Sequence, residues 1–195
     1  MRQILPLFLV LFLFGCEQER APSFKEVLQC FKKVNLPYKI EAGHGSDALL
    51  DSTFYHQKIL ASPTKWYQLH EQSELNIEAL APSHENVNCG MLLYENDNFI
   101  VIDIQDTRIG FDRYLLVFSH QGELIDGVPV AHISKGKNGD EVFDIEQFSE
   151  INAQMEIKMT EIVKHSFSNS PEEENTTKTA VYQIQNDGKI KFLRK

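Results

Sequence analysis

The sequence predicts a mainly β (α+β) fold, in which an N-terminal amphipathic helix precedes an antiparallel β-meander curled as an open barrel or sandwich. From residue 91 onward, apolar and polar residues alternate with period two in short runs separated by Asn, Asp and Gly turns. Before that point, residues 22–34 repeat their apolar residues at helical spacing. A succession of short strands joined by tight turns is typical of a curled antiparallel sheet.

Residues 1–16 have the layout of a secretory signal peptide. Arg2 leads into an apolar run over residues 4–14, which is shorter than the roughly 20 residues that a membrane-spanning helix needs. The run ends in Leu13-Phe14-Gly15-Cys16, which resembles a bacterial lipobox. The resemblance implies that Cys16 is acylated and becomes the mature N-terminus. The expected organisation is a lipoprotein signal peptide over residues 1–15, a lipidated tether over 16–22 and a single globular domain over 23–195.

The lipobox resemblance also implies where the protein is held. Two or three acyl chains on one cysteine anchor a protein stably, whereas a single chain binds a membrane only marginally. In lipoproteins of Gram-negative bacteria, an aspartate after the cysteine marks retention at the inner membrane, and Glu17 stands at that position here. The expected location is therefore the bacterial cell envelope, with the protein lipid-anchored in the outer membrane.

The first predicted element of the domain is a helix over residues 22–34. Phe24, Val27 and Phe31 share one helical face. Ser23 and Glu26 have the spacing of a capping box, in which each side chain bonds the other residue's backbone N–H. A proline at position 37 disfavours helical geometry in the residue before it, so the helix is expected to end before this point.

Residues 38–90 carry less pattern. Residues 41–47 and 81–90 are expected to be loops, and residues 47–60 a weaker helix. Trp66 and Tyr67 are the candidate ligand-contact aromatics, because adjacent rings can form a platform for a sugar or a peptide. The alternative is that both rings pack in the core, where aromatic side chains bury a large apolar area.

The predicted strands begin at residue 91 and continue to the end of the chain. One of them, residues 155–163, places Met155, Ile157, Met159, Glu161 and Val163 on the same side. The last hairpin turns at an Asp-Gly pair, a strong hairpin signal. The acidic stretch 166–178 is expected to be a loop. The predicted strands are residues 91–94, 99–104, 114–118, 123–125, 128–133, 141–145, 155–163, 179–184 and 189–193.

The charge balance limits the classes of partner. The chain has a net charge of −9 and no cluster of lysines and arginines. Nucleic acid is therefore not an expected partner, because binding to a phosphate backbone requires a basic face. An acidic surface is also repelled by anionic lipid, so the N-terminal acyl chains are expected to provide the contact with the membrane.

The three cysteines divide between anchoring and cross-linking. If Cys16 carries lipid, Cys30 and Cys89 remain in an oxidising compartment, where two thiols usually pair. They form the candidate disulfide. The alternative is two buried free thiols that act as small apolar side chains.

The sequence contains no motif of a known catalytic, cofactor or metal site, so no cofactor, metal ligand or catalytic residue is assigned. The histidines lack metal-ligand spacing. Asp97, Asp103 and Asp106 have the composition of a calcium loop without its spacing. The favoured alternative is a solvated face, because Asp103 lies in an alternating strand whose solvent side needs polar residues. His44 lies between two glycines, where a turn is the expected structure.

Three further segments carry a family resemblance: FKEVLQCFKKVNLPYKI, YLLVFSHQGELID and YQIQNDGKIKF. With them the chain resembles small lipoproteins of Bacteroidetes-type bacteria, a resemblance that implies no activity and transfers no site residue. The expected function is a non-catalytic binding or accessory module whose partner is an envelope protein or a glycan. The alternative is a periplasmic or surface hydrolase acting on glycan or peptide, with unassigned carboxylates and His120 or His44 in catalytic roles.

Overall fold

The computed structural model describes residues 21–43, 45–61, 86–107, 112–167 and 170–195. Within these residues the fold is mostly β, as predicted, with an antiparallel-dominated open sheet and few helices. The strands are β1 Lys32–Lys33, β2 Tyr38–Glu41, β3 Val87–Glu95, β4 Ile100–Asp106, β5 Asp112–Phe118, β6 Leu124–Asn138, β7 Glu141–Ile151, β8 Glu156–Phe167, β9 Ser170–Ile184 and β10 Ile190–Arg194.

Strands β3 to β10 follow chain order across the sheet, and each pairs antiparallel with the next. Strand β6 connects two regions of the sheet, because Leu124 to Ala131 pair with β5 whereas His132 to Asn138 pair with β7. The part of β7 that β6 leaves free pairs antiparallel with β2. Strand β1 pairs parallel with β3 at the opposite end of the strand order.

The sheet buries apolar residues on both faces. On one face, which we call the inner face, Val101 and Leu115 belong to a core cluster that also includes Ile157 of β8 and Tyr182 of β9. On the opposite face of β4 and β5, the neighbouring residues pack against the short helices near the N-terminus. This double burial explains why all of β4 is buried, including the polar residues that alternate with isoleucines over residues 102–105.

The N-terminal helix expected over residues 22–34 is wrong in extent. The structure has only α1, Phe24–Val27, followed by a 3₁₀ turn, Leu28–Cys30. The capping box of Ser23 and Glu26 is confirmed. Val27 and Phe31 are both buried, although Phe31 is extended. The apolar spacing therefore identified the buried side chains but not the length of the helix.

Three other expectations for local structure need correction. The loop expected over residues 166–178 is replaced in the described residues by the end of β8 and most of β9. Residues 87–90, expected to be in a loop, are the start of β3. The weak helix expected over residues 47–60 is confined to α2, Ser52–Phe54, and a π-helical turn, Tyr55–Leu60. In the described parts of the chain, none of the helices combines the length and the apolar character needed to span a membrane.

Candidate functional site

A polar row crosses the inner face of three neighbouring strands. Gln147 of β7 lies directly opposite Glu161 of β8, and Glu161 lies directly opposite Lys178 of β9. Directly opposed residues share a face and have their Cβ atoms about 5 Å apart. We refer to Gln147, Glu161 and Lys178 as the polar row.

The polar row borders a cavity of about 370 Å³. Its apolar lining comes from Met159, Ala180 and Tyr182, which lie on the inner face of β8 and β9 next to the row. Met159 and Tyr182 also belong to the inner-face core cluster, so the cavity opens from the edge of that core. The lining residues are Gln147, Met159, Glu161, Lys178, Thr179, Ala180, Tyr182 and Lys195. A volume at the low end of the range for ligand pockets fits a small molecule.

Gln147 is the most buried polar residue of the cavity wall. Its side chain has no exposed surface, and its Nε2 donates to the backbone oxygen of Pro129 at 3.4 Å. Its Oε1 has no hydrogen-bond partner among the described residues. A buried amide oxygen without a donor costs free energy, about 1–3 kcal/mol in protein mutational data. The oxygen is therefore the strongest indication that the wall is built to accept a hydrogen bond from a ligand.

Glu161 places a carboxylate beside this amide oxygen. Its side chain is 10% exposed, and Lys178 Nζ lies 3.6 Å from its Oε1. The Lys178 side chain is 68% exposed, so water screens its charge. The cavity thus has acceptors in its wall and a cation at its mouth.

A second buried polar group lies further along the inner face, away from the cavity lining. Asp103 of β4 pairs with Arg113 of β5, and both side chains are fully buried. The backbone N–H of Met91 also donates to Asp103. Burial raises the pKa of the Asp103 carboxyl, and the charge of Arg113 opposes that rise. The expectation that Asp103 lies on a solvent face is therefore wrong, because both faces of β4 are covered.

Of the residues predicted for a role, Cys30 and Cys89 are joined by a disulfide, with their Cα atoms 5.9 Å apart. The predicted lipidation site, Cys16, lies outside the described residues, as do the candidate ligand-contact aromatics Trp66 and Tyr67. The structure therefore gives no position for the anchor or for the candidate aromatic platform.

Three of the described histidines each lie close to one oxygen atom. His132 Nδ1 lies 2.5 Å from Asp112 Oδ1, and His165 Nδ1 lies 2.6 Å from Glu141 Oε1. His120 Nε2 lies 2.6 Å from the backbone oxygen of Asn96. Within the described parts of the chain, His, Cys, Asp and Glu side chains form no group of three that could hold a metal ion.

Sequence reasoning did not single out Gln147, Glu161 or Lys178 as site residues. One signal for Glu161 was present, since a carboxylate stands on an otherwise apolar side of residues 155–163. Lys178 lay at the end of the segment expected to be a loop, which hid its cross-strand neighbours. No family model, no curated protein and no solved structure matches the chain.

Proposed function

We propose that this protein is an envelope lipoprotein, anchored in the outer membrane through Cys16, that acts as a non-catalytic binding module. The observation that carries the binding role is the cavity beside the polar row, with the unpartnered Oε1 of Gln147 in its wall. A concave, mostly apolar site with a few polar groups is the usual form of a small-molecule site.

The disulfide supports the envelope location. The bond between Cys30 and Cys89 requires an oxidising compartment, such as a bacterial periplasm or cell surface. The lipobox resemblance of residues 13–16 accounts for export and anchoring together. The membrane is then one partner, contacted through lipid, while an envelope protein or glycan remains the candidate larger partner.

The curled form expected for the sheet, an open barrel or sandwich, fits contacts between distant strands. The backbone N–H of Ile190 in β10 donates to Asp126 of β6 at 3.0 Å, and Asn98 Nδ2 donates to the backbone oxygen of Asn186 at 3.3 Å. These bonds join the last hairpin to β6, in the middle of the strand order, and to the turn between β3 and β4, near its opposite end. A curl of this kind gives the inner face a concave shape that can enclose a ligand.

A hydrolase acting on glycan or peptide remains the alternative. Hydrolysis of a glycosidic bond requires two carboxyl groups facing each other across the bond. Among the described residues that line the cavity, Glu161 is the one side-chain carboxylate, and it lies beside Lys178. This arrangement favours binding over hydrolysis.

The test is native mass spectrometry of the full chain purified from bacterial envelopes in mild detergent. We expect a small molecule to accompany the wild type and to be absent from Ala180→Trp, whose indole would occupy the cavity. Thr177→Trp is the matched control, because Thr177 is an exposed residue of β9 opposite Ile162 and does not line the cavity. An unloaded wild type, or equal loading of both variants, would contradict the proposal.

A further inference from the structure

We infer that the cavity selects a small apolar amine, that is, a primary ammonium group on an apolar body, with the ammonium held by Gln147 and Glu161. This inference rests on the proposed binding function and names the ligand class of the same site. The preference for an amine depends on which polar side chains of the cavity are buried and which are exposed to solvent.

The deep polar groups of the cavity are hydrogen-bond acceptors. Gln147 is fully buried and Glu161 is 8% exposed, and they are directly opposed on β7 and β8. One N–H of Gln147 Nε2 donates to the backbone oxygen of Pro129, whereas Gln147 Oε1 has no hydrogen-bond donor among the described residues. Gln147 Oε1 and the Glu161 carboxylate are both acceptors, so a ligand group that donates hydrogen bonds fits this wall best.

The carboxylate of Glu161 makes a cationic donor the best fit. Hydrogen bonds between ionised partners are roughly twice as strong as neutral ones, and exclusion of water strengthens them further. An ammonium has three N–H donors, enough for the amide oxygen and the carboxylate together. Its charge also compensates that of a largely buried glutamate.

The lysines near the cavity do not reverse this preference. Lys178 and Lys195 are exposed, and the Nζ of Lys178 stays 3.6 Å from Glu161, beyond ordinary hydrogen-bond length. Because Lys178 is 68% exposed and its contact with Glu161 is long, a ligand ammonium that approaches the carboxylate more closely can replace it while Lys178 turns into water. An anionic ligand would instead meet the acceptors of the wall without a donor of its own.

The apolar lining of the cavity determines the chemistry of the part of the ligand that carries the ammonium group. Met159, Ala180 and Tyr182 lie on the inner face of β8 and β9, adjacent to the polar row. An alkyl or branched aliphatic chain of about six carbons would be removed from water there, which favours binding in proportion to the apolar area buried. The cavity volume excludes a large amphiphile from complete burial.

The experiment compares three probes that share one tail: hexylammonium, hexanol and hexanoate. The protein is the mature chain, residues 16–195, with Cys16→Ser, and the readout is an NMR titration of its methionine methyl groups. Met159 lines the cavity and reports binding there, while Met91 is an internal control outside the lining. We expect hexylammonium to bind at least tenfold more tightly than hexanol, and hexanoate to bind most weakly.

Variants of Glu161 and Gln147 test whether these two side chains cause the preference for hexylammonium. Glu161→Gln should bring the affinity for hexylammonium down to that for hexanol, and Gln147→Met should weaken hexylammonium several-fold. Glu156→Gln is the matched control on β8, since Glu156 does not line the cavity. Because the probe comparison is made on the wild-type wall, it remains decisive if a variant fails to fold.

The outcomes separate the two proposals. Equal affinities, or tightest binding of hexanoate, would overturn the assignment of an amine while leaving a binding cavity. Failure of every probe to shift the Met159 methyl, or shifts that persist in Ala180→Trp, would overturn the proposed binding role as well. Leucyl-leucinamide extends the series, and its tighter binding than hexylammonium would identify a peptide N-terminus as the source of the amine.

Discussion

At the residue scale, the buried pair of Asp103 and Arg113 is the most costly polar feature of the fold. Removing two ions from water costs several kcal/mol each, which their attraction recovers only with good geometry and further hydrogen bonds. Gly90 helps to supply that geometry. A Cβ on Gly90 would lie 2.1 Å from Asp103 Oδ1 and 2.5 Å from its backbone oxygen. Only glycine lets β3 approach close enough for Met91 to donate to the carboxylate.

Replacement of Arg113 should show how much a buried, unpaired Asp103 carboxylate lowers the free energy of unfolding. We expect Arg113→Met to lower the free energy of unfolding by about 3–5 kcal/mol at neutral pH, as for other buried pairs that lose one partner. Burial already raises the pKa of Asp103, and loss of the Arg113 charge raises it further. A carboxyl group whose pKa is raised in the folded state loses stability as pH rises through that pKa. The deficit should therefore shrink on acidification, as measured by urea unfolding at about pH 8 and about pH 5.

The double variant Asp103→Leu/Arg113→Met is the control for this pH dependence. Replacement of both ions by apolar residues should restore most of the lost free energy and remove the difference between the two pH values. A deficit of Arg113→Met that is the same at both pH values would show that lost packing, rather than an unpaired carboxylate, is the cause.

At the element scale, the N-terminal segment shows how a helical pattern can end early. The spacing of Phe24, Val27 and Phe31 is compatible with a continuous helix, and the helix propensities of the residues between them do not disfavour one. Two long-range interactions stop it, because Cys30 is bonded to Cys89 of β3 and Lys32–Lys33 pair with the same strand. The spacing of apolar residues within a segment carries no information about contacts with a strand far along the chain. The sequence therefore predicted the burial of Val27 and Phe31 correctly and the length of the helix wrongly.

The disulfide should contribute much of the stability of this end of the fold. It joins residues 59 positions apart, and closure of a loop of that length stabilises by about 4 kcal/mol in the chain-entropy model. We expect Cys30→Ala/Cys89→Ala to lose about that much free energy of unfolding in urea. A reductant should lower the stability of the wild type towards that of the double variant and leave the variant unchanged. A wild type that is insensitive to reductant when unfolded and refolded would contradict this expectation.

The hairpin of β8 and β9 shows the opposite error, in which a strand was taken for a loop. Residues 173–178 are acidic and polar, a composition typical of exposed loops. Their pairing with β8 fixes them all the same, since Glu161 opposes Lys178 and Val163 opposes Thr176. Consecutive threonines are a strand signal that the acidic composition masked. The candidate site depends on this hairpin, so it was outside the reach of the sequence prediction.

At the scale of the whole molecule, the sequence predicted single hairpins better than the contacts between strands that are distant in the chain. A turn residue such as Gly188, with its φ of 82°, determines the hairpin in which it lies. Such turns can therefore be predicted one after another along the sequence. Strand β6 changes partner from β5 to β7, and near this change Ser149 Oγ donates to the backbone oxygen of Val130 at 2.5 Å. That bond joins residues 19 positions apart on different strands, and no local sequence pattern predicts it.

The predicted lipid anchor would determine how the whole molecule is held, and its test is Cys16→Ser. The lipobox reading predicts that this change moves the protein from the membrane fraction to the soluble fraction, because the acyl chains supply the attachment for an acidic chain. Cys30→Ala/Cys89→Ala is the control and should remain with the membrane. Labelling with an alkyne fatty acid should mark the wild type and this control but not Cys16→Ser, and unchanged fractionation of Cys16→Ser would refute the anchor.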